Sequence, residues 1–264
     1  MRDGVARAVL VGMVAIVGAG WTVPVAANHS WNGYHWSRHG PARVVDLGNN
    51  VSGDWADFLG PVSDDWSSNA AAASFIKTQV VSGQSNPGRC PATAGRVEVC
   101  NADYGSTSWL GLATVWTHGK HIYQGTVKLN DRYVASLLDD NPGLPVSDVS
   151  SRERHALCQE VGHTLGLGHA TGVTCMDDKN GLDNPLYVGP NAHDYDQLVT
   201  VYTHRDKRKK ARANVASAGS ARESVPPDPA DLVAAGLTRP GDFDAIVEEL
   251  GGGRQRISWV LWAE

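Results

Sequence analysis

Apolar residues fall into two spacings along this chain, and the alternation between them divides it into elements. Trp55, Phe58, Leu59, Val62 and Trp66 recur at three- and four-residue intervals. That spacing predicts an amphipathic helix opening near Asp54, with Pro61 as a point of shortening or kinking. Short runs of alternating or β-branched residues then predict strands over 43–47, 74–81, 96–100, 110–115 and 121–130, the last two joined at a Gly119 turn. Residues 152–167 carry the clearest helical pattern. After an irregular stretch to Pro190, residues 191–202 predict a second helix with Tyr195, Leu198, Val199 and Tyr202 on one face. Residues 243–247 suggest a short helix, and residues 257–262 alternate after Gly251-Gly252-Gly253. No internal repeat is visible.

Composition changes this picture at both ends. Arg2 and Arg7 precede an apolar run over 8–21, broken at Pro24 and followed by Val25-Ala26-Ala27. This reads as a signal peptide over 1–27 rather than a membrane anchor, because the run is short for a span and ends in small residues. The chain is then expected to be secreted, and its four cysteines to form two disulfides. Residues 28–42 are rich in His, Trp and Gly without periodicity, which predicts a flexible lead-in. From His204 the chain turns basic (Arg205, Lys207, Arg208, Lys209, Lys210, Arg212) and then proline-rich. A linker over 204–232 and a small extension over 233–264 follow from that shift. The domain proper is expected over 43–203.

With 264 residues, 42% of them hydrophobic, the chain can bury one sizeable core. Its 29 glycines and 19% charged residues argue for a loop-rich α+β domain over a helical bundle. A net charge of −5 argues against a general nucleic-acid binder. No stretch after the first is apolar enough for a stable membrane span. Nothing in the sequence indicates an oligomeric state.

The chemistry concentrates in Gln159-Glu160-Val161-Gly162-His163-Thr164-Leu165-Gly166-Leu167-Gly168-His169. Gln159 and His163 stand four apart and share one helix face. Glu160 can place its carboxylate beside a metal held on that face. Gly166 can adopt positive φ, end the helix and let His169 swing round to the same ion. Zinc suits such neutral nitrogen donors.

This segment resembles the metzincin signature, in which two helical histidines, a glutamate after the first, a glycine and a third histidine precede a methionine turn. Glu160, His163, Gly166 and His169 match in place, and Cys175-Met176-Asp177 resembles the Met-turn. The order of elements over 43–203 is similar to that of matrixin-like proteins. The resemblance implies a twisted mixed sheet packed with a zinc helix and a C-terminal helix. It also implies a zinc-dependent metalloendopeptidase acting on a peptide or protein substrate. Glu160 would be its general base, His163 and His169 metal ligands, and Met176 an apolar floor. The departure is Gln159, where the family has His. Three arrangements are open. Gln159 ligates through its amide oxygen; or His155, one turn earlier, completes the set; or the site has decayed and the domain is an inactive binding module at the cell surface.

A helix and Met-turn meeting beneath a metal would bring Cys158 to Cys175, and Cys90 would close a small loop with Cys100. That is the expected pairing. Residues 177–184 carry the oxygen donors of a calcium loop without the full EF-hand spacing, so a polar turn is the competing reading. Asp103, His118 and His121 are candidates for a second structural metal, weighed against scattered surface residues. His193-Asp194 is expected to cap the last helix.

Overall fold

The computed structural model describes residues 29–134, 146–180, 182, 184–207 and 245–263. In chain order the elements are β1 (His35–Trp36), β2 (Arg43–Asn50), α1 (Asp54–Ser68), α2 (Ala70–Ala73), β3 (Ile76–Ser82), β4 (Val97–Ala102), β5 (Trp109–His118), β6 (His121–Asn130), α3 (Val146–Thr164), α4 (Ala192–Tyr202), β7 (Ile246–Gly251) and β8 (Arg254–Trp262). The α+β expectation therefore stands, with one mixed sheet of eight strands in the order β3-β2-β4-β6-β5-β8-β7 and β1 beside β6. β3, β2, β4 and β6 run parallel, whereas β5, β8 and β7 are joined antiparallel.

The helices form where the apolar spacing demanded. α1 buries Trp55, Leu59, Val62 and Trp66 on one stripe and continues through Pro61 to Ser68. Gly53, at φ 61°, precedes it as the cap, so Asp54 and Asp57 lie in the first turn, where the helix dipole favours them. α4 opens on Asn191, whose side chain accepts from the N–H groups of His193 and Asp194 while Asp194 returns a bond to Asn191. This capping box assigns the cap to Asn191 rather than to His193-Asp194.

Three expectations about the ends are corrected. The lead-in is packed, not flexible: Tyr34 and Trp36 are buried, and β1 pairs in parallel with β6. Ile246 and Val247, expected helical, belong to strand β7. Three consecutive glycines at positive φ turn β7 into β8. The alternation over 257–262 sends Ile257, Trp259 and Leu261 into the main core, which makes this hairpin part of the same sheet rather than an appendix. The basic and proline-rich residues 208–244 lie outside the described residues.

Candidate metal centre

From Val149 on, α3 is largely buried, and it packs against α1, β5 and β6. Its last carbonyls would be orphaned at a buried helix end. Aromatic donors satisfy them: Trp36 Nε1 donates to Thr164 O at 2.8 Å, and Tyr202 Oη donates to Leu165 O at 2.9 Å. The helix then closes in a Schellman turn. Leu167 N donates to Gly162 O (3.3 Å) and Gly166 N to His163 O (3.0 Å). Gly166 has φ 96°, and a Cβ there would sit 2.1 Å from Tyr34 O, so glycine is required on both counts.

That turn brings His169 back against His163, with ring centroids 4.8 Å apart. His163 Nδ1 donates to Leu167 O at 2.9 Å, which leaves the Nε2 lone pair free in the neutral ring. His163 Nε2 and both amide atoms of Gln159 are buried and have no hydrogen-bond partner among the described residues. Burial, with His169 alongside, holds the His163 imidazole well below its ordinary pKa, so it is neutral, the form a metal ligand needs. Glu160 is fully buried beside Gly111, where any Cβ would meet its Oε1 at 2.6 Å. Burial pushes its carboxyl well above the usual carboxylate range, and neither carboxyl oxygen has a hydrogen-bond partner among the described residues.

The turn after the site is held from beneath. Met176 is fully buried under the helix: a Cβ at Gly162 would lie 2.4 Å from its Sδ. Cys158 is bonded to Cys175, tying helix to turn, and Cys90 is bonded to Cys100. Thr174 donates to Asp194 and accepts from Met176 N at 3.1 Å, which joins the turn to the first turn of α4.

Two residues that the sequence reading left unassigned complete the surroundings. Trp259 of β8 stacks on His163, with centroids 5.1 Å apart and planes within 6°. His29 of the lead-in places Nε2 3.3 Å from Asp194 Oδ1, and its ring lies 4.7 Å from that of His193. Ser30 and Leu167 form an isolated antiparallel β-bridge, so the lead-in runs beside the Gly166 turn. A cleft of about 500 Å³ opens on the His169 side, lined by His29, Trp31, Gly168, His169, Asp178 and His193. Asp178 Oδ2 lies 3.4 Å from His169 Nδ1. Gln159, Glu160 and His163 do not line this cleft, and the Trp259 ring of β8 covers His163.

Other candidates fall elsewhere. His155 is fully buried one turn before Gln159. Asp103 is held by both Nε and Nη2 of Arg132, at 2.9 and 2.7 Å, and His118 lies beside the Gly253 turn. The candidate grouping of Asp103, His118 and His121 is therefore not formed; His121 bonds Asp206 instead. Asp177 accepts from the N–H groups of Gly172, Lys179 and Asn180, which makes this stretch a self-bonded polar turn. Comparison with protein-family models, with curated proteins and with solved structures returns no match for this chain.

Proposed function

We propose that this chain is a secreted, zinc-dependent metalloendopeptidase of the metzincin, matrixin-like type, described here in a closed form. The observation that carries the reading is the donor set on α3. A buried imidazole with its lone pair free and a buried amide without a partner are each costly unless something binds them. Both stand on one helix face, with the ring of His169 against the imidazole. Gln159 Oε1, His163 and His169 would hold the ion. When bound, zinc supplies Lewis acidity, polarising a peptide carbonyl and bringing a water within reach of deprotonation near neutral pH.

The chain's own residues do the rest. Glu160, fixed against Gly111, takes the proton of the attacking water and returns it to the leaving amine. A carboxyl held above its usual range suits a group that must do both. Met176 forms the apolar floor, and the Cys158–Cys175 bond keeps that floor in register with the helix. An extended peptide would add to the β5 edge beside Glu160. β8 now occupies that edge, with Ala113 paired to Trp259. Hydrolysis therefore requires the β7–β8 hairpin to leave β5. Two disulfides support export, and among the described residues no helix is long and apolar enough to cross a membrane.

A second reading, a non-hydrolytic binding module, is favoured by Gln159 itself and by the covered site. The discriminating experiment is hydrolysis of a peptide library by three zinc-equilibrated chains: unmodified, Trp259→Ala, and Trp259→Ala carrying Glu160→Gln as well. Peptidase function predicts cleavage by the Trp259→Ala chain. It also predicts that adding Glu160→Gln to that chain lowers the rate by at least about 10²-fold with zinc content unchanged. Cleavage that survives Glu160→Gln rejects the assignment of Glu160. No cleavage by any chain moves the binding-module reading ahead.

A further inference from the structure

Three histidines and one aspartate from distant parts of the chain meet where the lead-in, the start of β6 and the segment after α4 converge. His35 Nε2 lies 3.1 Å from His204 Nε2 and 3.5 Å from Asp206 Oδ1, and His204 Nε2 lies 3.5 Å from the same oxygen. His121 Nε2 is 2.9 Å from Asp206 Oδ1. We infer that His35, His204 and Asp206 form a second metal site, for a divalent cation of the zinc class, with His121 positioning the aspartate. The inference does not depend on the peptidase reading, since it shares no residue with α3.

The spacing is the first argument. With metal–ligand bonds of about 2.0–2.1 Å, the ligand atoms of a tetrahedral zinc site lie about 3.3 Å apart. The three observed separations bracket that value. Two imidazoles and one carboxylate favour zinc over the all-oxygen coordination of calcium or magnesium.

Tautomer and orientation are the second argument. His35 is buried, and its Nδ1 donates to Gly33 O at 2.8 Å. This is the outer hydrogen bond that fixes a metal-binding histidine with its Nε2 lone pair turned inward. Asp206 is oriented in the same way. Its Oδ2 accepts from Arg38 N at 2.8 Å, its own N–H donates to Arg38 O at 2.9 Å, and its Oδ1 faces the imidazoles of His35, His204 and His121. The Arg38 guanidinium donates to Thr203 O and His204 O at 2.7 and 2.8 Å, which anchors the backbone on which both ligands stand. His35 and Asp206 are thus held in place by the fold, and the main ordering left for a cation to impose is that of the half-exposed His204 ring. Three protein ligands leave one position for solvent. An ion there would fasten the chain leaving α4 to β1.

The test is zinc titration of the purified, chelator-stripped chain against a competing chromophoric chelator. It compares the unmodified chain with His204→Ala, Asp206→Asn, His121→Ala and His163→Ala. Asp206→Asn, which keeps the side-chain shape, serves if His204→Ala folds poorly. The expected result is that His204→Ala and Asp206→Asn each remove one zinc equivalent, while His121→Ala weakens that equivalent about 10–100-fold. A zinc-induced change in the Nε2 resonances of His35 and His204 in a nitrogen-correlated spectrum of the unmodified chain locates the ion. Any equivalent lost only in His163→Ala belongs to α3 and is read separately. An unmodified chain that takes up no zinc overturns the inference. So does an Asp206→Asn chain that binds as much, as tightly, as the unmodified one: the cluster is then a hydrogen-bonded His–Asp network.

Discussion

Replacing Trp259 by Ala should both destabilise the fold and uncover His163. The indole is wholly buried, stacked on His163 and edge-on to Trp31 at 6.2 Å. A buried tryptophan removes about 150–250 Å² from water, which at about 25 cal/mol per Å² gives roughly 4–6 kcal/mol as an upper bound. Its Nε1–H has no partner among the described residues, so deleting the ring also relieves a desolvation cost of about 1–3 kcal/mol. The net loss should therefore fall near 3 kcal/mol, the low end of the range for truncating a buried aromatic residue. Equilibrium urea unfolding followed by far-ultraviolet circular dichroism measures it. Acylation of His163 by an imidazole-directed reagent, located by peptide mapping, measures exposure. A loss below about 1 kcal/mol, with His163 no more reactive than before, would refute the claim that β8 is the cover of the site.

Other predictions follow from the same geometry. Replacing Cys158 and Cys175 together by Ser opens a loop with a sequence separation of 17 and should cost about 3 kcal/mol by chain entropy, measured by denaturant unfolding under non-reducing conditions. Burial, then Asp54 and Asp131, push the Glu153 carboxyl up to about 7. A folded pKa above the unfolded value of about 4.3 means stability is lost as pH rises from there to about 7. Glu153→Gln should then stabilise the protein by about 1–2 kcal/mol at pH 8, after allowance for solvent screening, and by almost nothing at pH 4. An equal gain at both pH values would contradict this. Gln159→His should tighten zinc binding at α3, since imidazole is the better donor; chelator competition showing weaker binding would mean that this helix face does not hold the ion.

Much of the fold was legible because it is local. The β6 strand over 121–130 and the last helix follow from residues close in sequence, as does the positive-φ turn at Gly166. The readings that failed concern partners far along the chain. Residues 254–262 become a core strand only by pairing with β5, more than 130 residues earlier, and no local pattern names that partner. The lead-in residues looked unstructured because their order comes from α3 and from the segment after α4. The same distance hid the second cluster: His35 and Asp206 are separated by 171 positions. Within α3, spacing set Gln159 and His163 on one helix face, and the structure brings the His169 ring against that of His163. Spacing did not reveal that Gly111 makes the room in which Glu160 lies. Nor did it reveal that Trp259 covers His163, since a ring stacked across the sheet leaves no periodic trace.

The central claim is that α3 and its turn hold a catalytic zinc. The most direct measurement is zinc bound per chain in an Asp206→Asn background, which isolates this site, with and without His163→Ala and Gln159→His. One equivalent that disappears with His163→Ala and is held more tightly with Gln159→His is the predicted result. Zinc bound only after Gln159→His would contradict it, marking a metal-site scaffold in which Gln159 has ended metal binding.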